Sequence, residues 1–156
     1  MHNITVDDIM SRDVVYVHPQ TSLLEAAQLM EQKSIDGLPV LDKEGALVGI
    51  ITQYDMIRNT SHIHLPTLQK VFEGLRIKDS KELQEERNKI TALTVQDIMN
   101  HEPLKLLQGV SVSETVQTFR DHHRVNPIPV VDGQNKVVGV VSRYDIVKLL
   151  RFAGEK

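Results

Sequence analysis

Thr5-Val-Asp-Asp-Ile-Met10 and Thr94-Val-Gln-Asp-Ile-Met99 are the same hexapeptide but for one residue, 89 positions apart. Self-similarity at a fixed long period marks a chain built from repeated supersecondary units, so this recurrence decides how the rest is read. Working outward, Leu38-Pro39-Val40 with Asp42 returns as Ile128-Pro129-Val130 with Asp132, at an offset of 90. Gly49-Ile-Ile-Thr-Gln-Tyr-Asp55 returns as Gly139-Val-Val-Ser-Arg-Tyr-Asp145 at the same offset of 90. The one-residue difference places an insertion near His122-His123, at a helix end where a longer loop is tolerated.

Within each copy the hydrophobic period changes in the same order. Val14 to Val17 is a β-branched and aromatic run, and Leu23, Ala27 and Met30 share one helical face. Leu38 to Leu41 and Leu47 to Ile51 are short apolar runs around the turn-forming Asp42-Lys43-Glu44-Gly45, which predicts a hairpin. Tyr54 to Arg58 then starts a second helix. The second copy offers Leu104 to Leu107, a helix with Val112, Val116 and Phe119 on one face, strands at Ile128 to Val131 and Val137 to Val141, and a helix from Arg143 to Leu150. Both copies read β-α-β-β-α, an α+β fold.

Helix starts are marked by a Ser or Thr followed three residues later by an acid, which together satisfy the free N–H groups of a first turn. The pairs are Thr5/Asp8, Ser22/Glu25 and Thr52/Asp55, then Thr94/Asp97, Ser111/Glu114 and Ser142/Asp145. One repeat alone leaves an apolar helix face and an apolar sheet face uncovered, so the two are expected to pack about a pseudo-two-fold axis. Residues 1–59 form the first repeat, 60–93 a helical insert and 94–156 the second repeat. In the insert, Leu65, Leu68, Phe72 and Leu75 recur at helical spacing, and Asp79 to Ile90 is rich in helix formers with few apolar residues. That second part reads as a solvated covering helix or as a partner surface.

Composition narrows the function. The 156 residues are 40% hydrophobic, enough for a folded core, and the net charge of −3 supplies no basic excess for nucleic acid or an anionic membrane. No cysteine is present, so disulfides and thiolate metal sites are excluded, and no apolar run approaches the length of a signal peptide or membrane span. A soluble cytoplasmic protein is expected. His62-x-His64 and His122-His123 lack the spacing of a helical zinc motif and read as ordinary surface or cap histidines. Ser142, Asp145 and a histidine do not make up a nucleophile-elbow arrangement, so no enzyme is expected.

The repeated Gly-to-Asp segments, 49–55 and 139–145, carry the chemistry. A helix start presents N–H groups and a positive dipole end to an anion, and an adjacent carboxylate accepts hydrogen bonds from a ribose diol. The same residues fit plain capping boxes that need no ligand.

Taken together, the Asp-Ile-Met opening, the Gly-Leu-Pro-Val-Leu-Asp or Pro-Ile-Pro-Val-Val-Asp strand, and the Gly-x-x-Ser/Thr-x-x-Asp ending resemble CBS domains. The resemblance covers Thr5 to Asn59 and Thr94 to Leu150 and is specific because the ordered set occurs twice. It implies a tandem module with two clefts that hold AMP, ADP, ATP or another adenosyl ligand, such as S-adenosylmethionine or cyclic di-AMP, as regulatory ligand, with no cofactor required. It further implies a homodimer acting on an effector protein not identified by the sequence. Carried over residue by residue, the resemblance puts ribose on Asp55 and Asp145, with Thr52 and Ser142 beside them. It puts adenine against Ile35, Asp36 and Gly37 or Val125, Asn126 and Pro127, walled by Val14, Val15 or Leu104. One cleft then pairs Asp145 with Ile35 to Gly37, and its reciprocal uses Asp55. Relatives that bind phosphate strongly place His or Arg just before the central strand, where this chain has Asp36-Gly37 and Asn126-Pro127. Arg143 and Arg12 are the candidate phosphate partners, which predicts unequal clefts with the Asp145 one better for a phosphorylated ligand. The alternative is a structural interaction or dimerisation module without a nucleotide.

Overall fold

All six Ser/Thr-x-x-acid signals are engaged in the computed structural model, which describes residues 4–60 and 81–154. The chain runs through a 3-10 turn at Val6–Asp8, α1 (Leu23–Lys33), β1 (Gly37–Leu41), β2 (Leu47–Thr52) and α2 (Gln53–Thr60). It continues through α3 (Lys81–Thr91), α4 (Val95–Ile98), β3 (Leu106–Leu107), α5 (Val112–Asp121), β4 (Ile128–Val131), β5 (Val137–Val141) and α6 (Arg143–Gly154). Ser22 Oγ accepts the Glu25 N–H at 3.1 Å and Ser111 Oγ accepts the Glu114 N–H at 3.2 Å. In the aspartate pairs the carboxylate also reaches back to the cap: Asp97 accepts from the Thr94 N–H at 2.8 Å and from its hydroxyl at 3.0 Å. Those two bonds, the backbone one first, hold the Asp97 carboxyl below the ordinary aspartate range by favouring its charged form.

The predicted hairpins form. β1 and β2 pair antiparallel from Gly37↔Thr52 to Leu41↔Leu47, and β4 and β5 from Ile128↔Val141 to Val131↔Val137. Asp42 Oδ1 and Asp132 Oδ1 each accept two backbone N–H groups across their turns. The left-handed turn position is filled by Gly45 (φ 82°) in one copy and Asn135 (φ 63°) in the other, residue types that tolerate it. β3 runs parallel to β4. Its counterpart, predicted as a strand over Val14 to Val17, contracts to one bridge between Val17 and Val40, and Val15 turns instead toward the groove between the repeats.

Two helix faces differ from the predicted ones. α1 buries Leu23, Ala26 and Met30, so Ala26 takes the place expected of Ala27. α5 buries Thr115 with Phe119, and the Thr115 hydroxyl donates to Ser111 O at 3.0 Å, which removes the penalty of a polar group in the core. α3 lies against α1 and exposes Gln84, Glu85, Asn88 and Lys89. The predicted Leu65 to Leu75 helix and His62 and His64 lie outside the described residues. No helix among the described residues is long and apolar enough to cross a membrane.

The cores reveal an exchange that local periodicity does not carry. The cluster around β1 and β2 contains Val95, Ile98 and Met99 from the opening of the second repeat. The cluster around β4 and β5 contains Val6 and Met10 from the opening of the first. Backbone pairings repeat the pattern: Ser11 with Val140 and Asn100 with Ile50, Thr5 with Ser111 and Thr94 with Ser22. Each contact has a counterpart with the copies interchanged, which is the signature of a two-fold relation. A third cluster, Leu41, Leu47 and Val131, closes the pair, and there Asn135 accepts the Leu47 N–H at 3.0 Å and donates its amide to Leu47 O at 2.9 Å.

The exchange explains the repeated glycines. A Cβ on Gly49 would meet Met99 Sδ at 2.7 Å and Asn100 O at 2.9 Å; one on Gly139 would press on Met10 Sδ, with Met10 Cγ at 2.8 Å and Ser11 O at 3.0 Å. Both glycines admit the incoming segment of the other repeat. Gly49→Ala and Gly139→Ala are each expected to lower stability by about 1–3 kcal/mol through overpacking, read from denaturant midpoints. Gly133→Ala, where a Cβ meets nothing within 4 Å, is the control and should leave the midpoint in place.

Candidate functional site

Three segments converge where the repeats meet. β5 delivers the chain into α6 at Ser142, and this is the first wall. The second is the turn from α1 into β1, where Ser34 ends the helix in the left-handed conformation (φ 54°) and Ile35, Asp36 and Gly37 follow. The third is the exchanged N-terminal segment, held by reciprocal bonds between Ser11 and Val140 (2.8 and 2.9 Å). Together with Asn126 and Pro127 from the turn before β4, they line a cleft of about 610 Å³.

Polar groups in the cleft are already organised. Asp145 Oδ2 accepts the Ser142 N–H and hydroxyl, both at 2.8 Å, while Oδ1 faces Lys148 Nζ at 3.3 Å. The Arg143 N–H donates to Asn126 Oδ1 and the Asn126 amide donates to Asp36 Oδ2, both at 2.9 Å. The Asp36 carbonyl accepts the Gln53 N–H at 2.9 Å. Positions 36 and 126 are equivalent in the duplication, so one residue pair joins the repeats and ties the start of α2 to that of α6. Gly37 is required here too, since a Cβ would stand 2.9 Å from Thr52 Cγ2 and 3.0 Å from Pro127 Cδ.

Of the residues singled out from the sequence, Val15, Ile35, Asp36, Gly37, Asn126, Pro127, Ser142, Arg143 and Asp145 line this cleft. Others lie elsewhere. Thr52 and Asp55 form the equivalent box at the start of α2, with Asp55 Oδ2 accepting the Thr52 N–H at 2.9 Å and hydroxyl at 2.7 Å. Beside that box the Arg124 guanidinium sits 5.9 Å from the Tyr54 ring centroid, so the start of α2 faces the turn before β4. Val125 and Leu104 pack on the second core, and Val14 is half-buried outside the cleft. Arg12 is also outside: its guanidinium donates to Asp7 O at 3.2 Å and lies 3.9 Å from Asp7 Oδ1. The short link back to Asp7 wins over a longer reach into the groove.

Sequence reasoning missed Ser11, Asp13, Ser34, Pro39, Tyr144 and Val147, which also line the cleft, as does Val140. Tyr144 and Val147 were detectable as neighbours of Asp145 within one helical turn. Ser11 and Asp13 were not, because they reach the cleft only through the exchange. His122 and His123 follow α5, and the His123 carbonyl accepts the Arg143 guanidinium. Among the described residues no group of three His, Asp or Glu is arranged to hold a metal ion.

Comparison with known proteins gives a family model, described as the CBS domain, that matches residues 6–62 and 95–151. An inosine-5'-monophosphate dehydrogenase of Methanocaldococcus jannaschii is 29% identical over 146 residues, which is 94% of this chain and 23% of that protein. The chloroplastic CBS domain-containing protein CBSX2 of Arabidopsis thaliana is 27% identical over 154 residues, 92% of this chain and 62% of that one. The chain thus spans less than two thirds of either relative. Among solved structures, CBSX2 in complex with AMP matches with a TM-score of 0.73 at 25% identity, covering 97% of this chain and 99% of that one. The CBS domain pair of protein MJ0100, in complex with 5'-methylthioadenosine and S-adenosyl-L-methionine, matches with a TM-score of 0.71 at 25% identity, covering 99% and 100%.

Proposed function

The chain belongs to the CBS-domain family, and on that premise we propose that it is a non-catalytic regulatory module that binds an adenosine-containing ligand between its repeats. The observation that supports this best is the meeting of Ser142 and Asp145 with Ile35, Asp36 and Gly37 from the other repeat around one 610 Å³ cleft. That volume falls in the range of small-molecule sites, about 300–1,000 Å³. Asp145 Oδ1, which accepts from Lys148 Nζ at 3.3 Å and has a further lone pair, is the acceptor offered to a ribose diol, since Oδ2 is spent on the cap. Val15, Ile35 and Pro39 offer apolar walls to a purine. The similarity to pairs solved with AMP and with S-adenosylmethionine and 5'-methylthioadenosine supports the ligand class.

A ligand touching both repeats favours one relative orientation, and the output is read by an effector protein or by a second copy of the chain in the cytoplasm. Ile57 on α2 and Leu150 on α6, both more than 70% exposed, are the surfaces suited to that contact. Thermal unfolding with AMP, ADP, ATP, S-adenosylmethionine, 5'-methylthioadenosine or cyclic di-AMP tests the proposal. A ligand at 100 times its Kd stabilises the native state by about 2.7 kcal/mol, so the midpoint is expected to rise by about 5–11 °C. A midpoint indifferent to every one of them leaves the second reading, a structural interaction module. That reading is favoured by Asp55 and Asp145 already serving as helix caps.

A further inference from the structure

Resting on the nucleotide reading of the Asp145 cleft, we infer that this cleft selects its adenosyl ligand by charge. It admits a neutral or cationic 5' substituent and disfavours a phosphate chain, with Asp13 and Asp36 as the specificity-determining residues, the reverse of the preference for a phosphorylated ligand that Arg12 and Arg143 suggested from the sequence.

Three observations carry this. The lining holds three carboxylates, Asp13, Asp36 and Asp145, against one cation, Arg143. Lys148 neutralises part of this but stands on Asp145 itself, leaving Asp13 and Asp36 to set the sign of the field. The cations that could have reversed that sign are directed elsewhere. The Arg143 guanidinium donates to the His123 carbonyl, and that of Arg12 is held by Asp7 outside the cleft. Finally, the start of α6 has little to offer an anion. A helix N-terminus binds phosphate through free N–H groups, yet here the Ser142 N–H is taken by Asp145, the Arg143 N–H by Asn126 and the Asp145 N–H by Ser142. A phosphate entering the cleft finds three of these N–H groups already bonded and stands beside carboxylates that outnumber the cations. A thioether or sulfonium at the 5' position needs no such donors and is not repelled by the carboxylates.

Isothermal titration of the full chain in magnesium-free buffer tests this, with 5'-methylthioadenosine, S-adenosylmethionine, AMP, ADP and ATP at low and physiological salt. The expected result is weaker binding with each added phosphate: AMP about fivefold weaker than 5'-methylthioadenosine and ATP weaker still, the gap narrowing as salt screens the charges. Asp13→Asn and Asp36→Asn should each lower the ratio of the AMP and ATP dissociation constants to that of 5'-methylthioadenosine, which reads charge selection apart from any uniform change in binding. The Asp36→Asn side chain keeps an acceptor for Asn126, and circular dichroism checks its fold. Tighter binding of ATP or AMP than of 5'-methylthioadenosine overturns the charge selection while keeping the nucleotide reading, as does a ratio unmoved by both variants. Failure of all five compounds to bind overturns the nucleotide reading itself and this inference with it.

Discussion

Deleting residues 1–10 is expected to unfold the second repeat, although none of the deleted residues belongs to its sequence copy. Val6 is fully buried and Met10 is 8% exposed, and both sit in the cluster of Leu106, Phe119, Ile128, Val130 and Val141. Emptying a large aliphatic position costs about 2–5 kcal/mol. Two such losses, with the Thr5/Asp8 cap and the Val6 N–H bond to Val110 O at 2.7 Å, rival the 5–15 kcal/mol by which a domain is typically stable. Native-state hydrogen exchange distinguishes the halves. Protection at Val130 and Val141 should vanish before protection at Leu38 and Ile51, whose cluster is filled by Val95, Ile98 and Met99. The milder Met10→Ala should lower stability by about 2–4 kcal/mol. Truncated protein that melts like the full chain would contradict the exchanged core.

The second large effect separates capping from binding at one carboxylate. Asp145→Ala is expected to weaken adenosyl binding in the 610 Å³ cleft by about 10- to 100-fold, the worth of hydrogen bonds to a charged acceptor. It should also cost about 1 kcal/mol of stability through the lost cap. Asp97 supplies the control, because it makes the same two bonds to Thr94 that Asp145 makes to Ser142 yet does not line the cleft. Asp97→Ala should therefore show the stability loss with unchanged affinity. Titration calorimetry with circular dichroism on both variants reads the two quantities. An Asp145→Ala protein that binds as well as the parent shows that the carboxylate is a cap alone.

Much of the fold was legible because its signals are local. The six caps and the two strand pairs joined by short turns each depend on residues within a few positions of one another. Periodicity was less exact on helix faces. A helix advances 100° per residue, so Ala26 and Ala27 compete for the same stripe, and only the neighbouring sheet chooses between them. Thr115 was invisible as a core residue because its hydroxyl is satisfied inside its own helix. Half of the cleft was legible as well: the family resemblance joined Asp145 to Ile35, Asp36 and Gly37, and the structure brings these four together.

By itself, the sequence determined that the chain is duplicated, which segments pair into hairpins, where helices begin and which motif recurs at the start of α2 and α6. These follow from short-range sterics and hydrogen bonding, which residue type and spacing encode directly. Only the tertiary structure decided that each repeat completes the other's core, that Gly49 and Gly139 exist to let Met99 and Met10 in, and that Ser11 and Asp13 rather than Arg12 face the cleft. An apolar Val6 or Met10 announces that it must be buried, but two nearly identical cores offer it equivalent places. Which one it fills is settled by packing over about a hundred residues of separation, and hydrophobic burial has no direction of its own to record that choice in the local pattern.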